Sequence, residues 1–271
     1  MADSPTKDRT AERRCHGTSG GAPSPPESTK NQSDESPPAE LSPTSAARCL
    51  LESVRYEESP DPFLDAIAEA TDADLNRVRT DPRAGLAFWL NVYNAAAQLL
   101  LERRPALFES RVRFFRARAV TVATVELSLD DIEHGILRGG RSKYGLGYLP
   151  RIERTGLGAS AELELDPRIH FALNCGAASC PAVLAYDPDT VDETLDYATR
   201  SYLEETVEYD AEHDRVRVPR LSLWFIGDFG GRSGIREFLR EFEQIPPESS
   251  PSLRFSKYDW TKEARQFGKY Y

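Results

Sequence analysis

Between Arg83 and Arg103 the apolar positions recur three and four residues apart and close almost the whole circumference of a helix, with Phe88, Trp89, Leu90, Val92, Leu99, Leu100 and Leu101 among them. That spacing predicts a helix with no solvated face, and such a helix belongs inside a protein. Asp81-Pro82 supplies its entry signal. Shorter helices are predicted over residues 46–55 and 62–79, the second from Phe63, Ile67, Leu75 and Val78. Strands are predicted over 111–126 from the β-branched Val112, Val120, Val122 and Val125. Ser128 with Asp131 fits a capping box that opens a short helix over 129–138, and Gly139-Gly140 stops it. A glycine-rich loop covers 139–160, followed by a short apolar strand over 168–174. A helix over 190–207, a strand over 215–219 and a helix over 234–243 complete the pattern. Helices and strands do not alternate as a doubly wound sheet requires. The expected class is α+β, with the buried central helix packed on a small sheet.

Composition changes this picture at the start of the chain. Residues 1–45 contain no Phe, Trp, Tyr, Ile or Val, and hold 7 of the 19 prolines. Such a stretch cannot bury enough apolar surface to offset its ordering entropy and is expected to be a disordered tail. Its Cys15 and His16 have no second ligand pair nearby. Residues 46–271 contain no repeat and no long linker, so they read as one globular domain. The net charge of −10 argues against nucleic acid as a partner. No apolar run reaches the length of a membrane span, and the N-terminus shows no apolar leader. Four cysteines are too few and too scattered for a disulfide scaffold. A cytoplasmic protein that acts on a small molecule or a peptide is the expectation. The sequence calls for no cofactor and sets no oligomeric state.

Three places carry polar groups where packing alone does not ask for them. Asn91, Asn94 and Gln98 form one polar stripe on the apolar helix. Buried amides of this kind either pin neighbouring loops or line a site, where an Asn can orient a base or hold an oxyanion. His134 stands on the 129–138 helix among Ile132, Ile136 and Leu137, as a packing residue or a site residue. The third place is the run from Asp166 to Pro181, where a strand leads into a loop of small residues with Cys175 and Cys180. Strand alternation would put His170, Ala172 and Asn174 on one face and Cys175 on the apolar one. Gly176 would let Cys180 fold back toward the polar face. A thiol near an imidazole ionises more easily and becomes a nucleophile. A metal site using His170, Cys175, Cys180 and His134 has spacing outside the common zinc patterns. A Cys175–Cys180 redox pair and a purely structural loop are the other readings.

Three blocks, Ala87 to Ala95, Leu129 to Arg138 and Asp166 to Pro181, together resemble the family called domain of unknown function 547, and occur in its order. Trp224-Phe225 and Asp228-Phe229 resemble a further segment of it, so the likeness runs over roughly residues 60–240. The family implies no established activity. A more distant likeness is to papain- and transglutaminase-like folds. In those the nucleophilic Cys opens the buried helix, whereas here the thiol would have to arrive from the 175–180 loop. The expectation is therefore a thiol-dependent hydrolase or acyl transferase acting on an amide or thioester. Cys180 is its nucleophile and Cys175 the alternate. His170 is the general base, Asn91 or Asn94 the orienting or oxyanion group, and His134 an auxiliary. The alternative is a non-catalytic interaction or scaffold module whose Asn, His and Cys cluster is structural.

Overall fold

Around the longest helix, α4 (Pro82–Arg103), the rest of the chain is assembled, and every residue from Ala84 to Leu101 is buried. Asp81 caps its start by accepting from the Arg83 and Ala84 amides, and Pro82 takes the first turn where no amide hydrogen is needed. The helix is long and apolar enough to cross a bilayer, but it lies wholly inside the protein. The computed structural model describes residues 41–152, 155–158 and 161–269. Most of the expected tail, residues 1–40, lies outside that range. Helix α1 already begins at Pro43 and runs to Tyr56, with Ser42 accepting from the Ser45 amide as its cap.

Helices α1, α2 (Asp61–Ala68) and α3 (Asn76–Thr80) lead up to α4, and α1 and α3 pack directly on it. The single helix expected over 62–79 is thus two. Asp74 accepts from the Thr71 amide at 2.7 Å and its hydroxyl at 2.6 Å, and this local turn competes with helical continuation. Residues 111–116 are helix α5 rather than strand. Val112, which suggested the strand, is 61% exposed, and the segment is held by the burial of Phe114 against Phe108 and Phe115. The strands that follow, β1 (Arg118–Val122) and β2 (Val125–Ser128), form an antiparallel hairpin. Its two-residue turn, Ala123-Thr124, has both φ angles positive, as a tight hairpin needs.

The expected cap of Ser128 on the next helix is present: Ser128 and Asp131 exchange hydrogen bonds at 2.7 and 3.2 Å. The helix itself, Asp131–Leu137, is a π-helix. Its wide turns appear in the bond from the Arg138 amide to the Glu133 carbonyl, 2.9 Å. Gly139 and Gly140 end it, both with positive φ.

Residues 168–174 are not a strand. Asp166 accepts from the Arg168 amide and Pro167 presets the first turn, so Pro167–Phe171 winds into a short 3₁₀ helix. Face alternation therefore does not apply to His170, Ala172 and Asn174. The short helix sits where two apolar cores meet. Ile169 belongs to the core around α4, and Phe171 to the second. The second core is covered by α6 (Val191–Thr206), α7 (Leu221–Trp224), α8 (Gly231–Glu241) and a three-stranded sheet. That sheet pairs β3 (Glu208–Asp210) antiparallel to β4 (Arg215–Val218), and β4 parallel to β5 (Ser252–Phe255). The strands fall in three places along the chain, without the regular alternation of a doubly wound sheet, and form two small sheets, so the fold is α+β.

Candidate functional site

A cavity of about 580 Å³ opens between the π-helix, the 3₁₀ helix, the cysteine loop and the C-terminal segment. Tyr93, Glu133, His134, His170, Cys175 and Cys180 line it together with Trp224, Phe225, Tyr258 and Trp260. Four of the six residues expected to carry chemistry are thus brought to one cavity.

The cysteine loop is built by Asn174, whose side chain is fully buried. It donates to the Pro181 carbonyl at 2.7 Å and to Gln266 Oε1 at 2.8 Å, and accepts from the Gly176 amide at 2.8 Å. Gly176 has φ of 84°, and a Cβ there would come within 2.2 Å of Leu101, so only glycine lets the loop turn against α4. The C-terminal segment then clamps the loop. The Ala178 amide donates to the Thr261 carbonyl at 2.8 Å, and the Glu263 amide to the Gly176 carbonyl at 2.8 Å. This clamp delivers Tyr258 to the thiols.

The two sulfurs lie 3.2 Å apart, both as free thiols. Cys180 Sγ also receives the Cys175 amide at 3.2 Å and contacts the Tyr258 hydroxyl at 3.2 Å. The hydrogen bond from Cys175 outweighs burial, and with help from Tyr258 and the amide it brings the Cys180 thiol down to about 6. The same contact pushes Cys175, 7% exposed, well up. The Cys175 amide and the Tyr258 hydroxyl converge on Cys180 Sγ, so Cys180 is the member of the pair whose thiolate is favoured.

Opposite stands the π-helix. Glu133 meets Tyr93 Oη at 3.3 Å, and its burial, only partly opposed by Arg138, raises it to about 7. His134 Nδ1 lies 2.9 Å from Arg138 Nη1. A guanidinium only donates, so Nδ1 accepts and the ring proton sits on Nε2, 3.6 Å from Asp130 Oδ1. Burial, reinforced by Arg138 and Lys143, lowers His134 far enough that it stays neutral. His170 gives Nε2 to Asp228 Oδ2 at 2.9 Å and stacks on Phe225 at 4.2 Å, nearly parallel. Burial lowers it as well, against the pull of Asp228. Asp228 accepts from Arg138 Nε at 2.6 Å and Nη2 at 3.0 Å, so one carboxylate locks both a fully buried guanidinium and His170. Those bonds hold it below the usual carboxylate range in spite of burial. Gly147 closes over this group: a Cβ there would lie 2.5 Å from Asp228 Oδ1.

The expected pairing of His170 with a thiol is not what the structure contains. Its Nε2 is engaged by Asp228, and among the described residues no hydrogen bond joins it to sulfur. Asn91 and Asn94 do not line the cavity. Asn91 exchanges two hydrogen bonds with the Tyr186 backbone, at 2.8 and 2.9 Å. Asn94 joins the Ala172 carbonyl to the Asn174 amide, both at 3.0 Å. Gln98 ties Asn174 to the Arg265 amide. With both ends of each amide engaged at full burial, the stripe pins the cysteine loop, and the orienting or oxyanion role has no free donor there. Among the described residues no cluster of three or more His, Cys, Asp or Glu side chains is arranged to hold a metal ion.

Sequence reasoning passed over Glu133, Tyr93, Asp228 and Tyr258. Glu133 and Tyr93 stood inside blocks already singled out, and Asp228 inside the Asp228-Phe229 pair. Tyr258 had only its place in an aromatic-rich C-terminal stretch.

Residues 79–203 match the model of a family described as protein of unknown function, DUF547, so the resemblance read from the sequence holds over that stretch. The matched segment contains Tyr93, Glu133, His134, His170 and both thiols, while Asp228 and Tyr258 lie beyond it. No curated protein and no solved structure matches the chain.

Proposed function

We propose that this protein is a thiol-dependent hydrolase or acyl transferase acting on an amide or thioester, with Cys180 as nucleophile. One observation carries the reading: Cys180 Sγ is contacted by the Cys175 thiol, the Cys175 amide and the Tyr258 hydroxyl in the wall of an apolar cavity. These donors favour the thiolate without help from an imidazole, and the thiolate is the attacking form. Attack forms a carbon–sulfur bond to the acyl carbon and pushes the carbonyl electrons onto oxygen. Tyr258, hydrogen-bonded to the sulfur, is placed to donate to that oxygen. Collapse expels the amine or thiol, which takes a proton from Glu133. A carboxyl titrating at about 7 holds that proton about half the time at neutral pH. Water, deprotonated by the Glu133 carboxylate, then splits the acyl–sulfur bond to release a carboxylic acid and restore Cys180. With an amine or thiol acceptor in place of water, the same step is acyl transfer.

In this reading His170 and His134 are positioning residues. His170 carries the Phe225 wall through its stack, and His134 steadies Arg138 on the π-helix. Small acyl thioesters of N-acetylcysteamine test the proposal through release of free thiol. Cys180→Ala abolishes turnover, and Glu133→Gln lowers kcat on the order of 10²–10⁴-fold, the usual scale of general acid–base catalysis. Turnover by Cys180→Ala equal to that of the natural protein, or none by either over acyl groups from acetyl to octanoyl, overturns it.

A further inference from the structure

The mouth of the cavity is built unlike the rest of the surface. Of the nine large apolar side chains exposed among the described residues, six lie in two short segments: Val112 on α5, and Tyr144, Leu146, Tyr148, Leu149 and Ile152 on the loop after the π-helix. Ile152 is 97% exposed. Both segments line the cavity, α5 through Arg111, Val112 and Phe115, and the loop through Lys143 to Leu146, while Tyr148, Leu149 and Ile152 follow on the same loop outside the lining. The loop is fixed in this display. The Ser142 amide donates to the Leu149 carbonyl at 2.8 Å, the Tyr148 amide to Gly145, and Arg141 to the Gly147 carbonyl at 3.0 Å. A folded protein does not hold so many apolar side chains toward water at one rim unless something covers them.

Charge says what covers them. Residues 111–118 and 139–152 carry seven Arg or Lys and no Asp or Glu, in a chain whose net charge is −10. Lys143, Arg151 and Arg118 are answered by Asp130 and Asp131 at the base of the π-helix, and Arg141 by Asp228 at 3.6 Å. Arg113 and Arg116, both exposed, make no ion pair among the described residues. Exposed aromatic and aliphatic side chains on the loop, beside unpaired guanidinium groups on α5, are the chemistry of a surface that sits in a layer of anionic headgroups.

We infer that this rim docks on an anionic phospholipid surface, and that the apolar cavity behind it takes an acyl group from that surface. The second half rests on the thiol reading above; the docking does not. Flotation of the full chain with vesicles separates the two. Vesicles of phosphatidylcholine with phosphatidylglycerol carry the protein up at low salt, while phosphatidylcholine alone does not. Arg113→Glu with Arg116→Glu, and separately Leu149→Ser with Ile152→Ser, each weaken binding by roughly tenfold or more. All four side chains are solvent-facing, and an unchanged circular dichroism spectrum verifies the fold. Cys180→Ala binds as the natural protein does, so a failed thiol reading leaves this result standing. Equal binding to both vesicle types, no binding to either, or binding unchanged in both variants overturns the inference. So does a dimer in sedimentation that the Leu149→Ser/Ile152→Ser variant dissolves, since the rim would then be covered by a second copy.

Discussion

Replacing Asp228 by Asn is the sharpest perturbation of the architecture behind the cavity. Its Oδ2 accepts from Arg138 Nε and His170 Nε2, its Oδ1 accepts from Arg138 Nη2, and both Asp228 and Arg138 have fully buried side chains. In Asp228→Asn one of those oxygens becomes an NH₂ group that faces donors, and the Arg138 cation is left buried without its carboxylate partner. Removing one partner of a buried pair costs about 3–5 kcal/mol, because the other charge remains buried and uncompensated. In a domain of this size about 1 kcal/mol moves Tm by roughly 2–4 °C, so the variant should melt roughly 6–20 °C lower. Thermal and urea unfolding at pH 7 measure both quantities. Replacing both partners, Arg138→Met with Asp228→Leu, removes the stranded charge and should recover at least half of the loss. A single variant within about 1 kcal/mol of the natural protein would refute the claim that this ion pair is desolvated and structural.

Two further expectations concern the same neighbourhood. Glu133 is raised by burial from its ordinary 4.5 to about 7, so the folded state holds its proton where the unfolded state has released it. A raised carboxyl favours folding at low pH. That contribution falls away as pH rises from about 4.5 to about 7, leaving a cost of up to about 3 kcal/mol above it. Glu133→Gln should therefore match the natural protein at pH 4 and exceed its stability at pH 8; an equal difference at both pH values contradicts the assignment. Asn94→Ala strands the Asn174 amide and the Ala172 carbonyl in the core and should cost about 1–3 kcal/mol by urea unfolding, and a neutral result would remove the amide stripe as a pin on the cysteine loop.

What the sequence made legible followed local rules. Asp81-Pro82 marks the start of α4, Ser128 and Asp131 close a capping box, Gly139-Gly140 ends the π-helix, and the amide stripe is buried. Each depends on residues within one or two turns of one another. The errors arose where a local signal had a competitor. Val112 suggested a strand, but the burial of Phe114 made the segment helical. The apolar run after Arg168 read as a strand until Asp166 and Pro167 wound it into a 3₁₀ turn. The partners of the site were beyond any local rule. Asp228 reaches His170 across 58 residues and Tyr258 reaches Cys180 across 78. The charge state of Glu133 is set by burial, which no spacing encodes. The sequence pairs Cys180 with an imidazole, whereas its partners in the structure are Cys175 and Tyr258.

The rate of alkylation of Cys180 as a function of pH reports whether its sulfur is activated. Folded protein is treated with iodoacetamide from pH 5 to 9, digested and mapped, with free glutathione as the reference thiol. Cys180 should label before Cys175 and faster than glutathione below pH 7, with a midpoint near 6. Tyr258→Phe, which removes one donor from the sulfur, should move that midpoint upward without unfolding the protein. If both thiols stay unlabelled until the protein is denatured, or if Cys180 titrates as an ordinary thiol with Tyr258 in place, Cys180 is not an activated nucleophile.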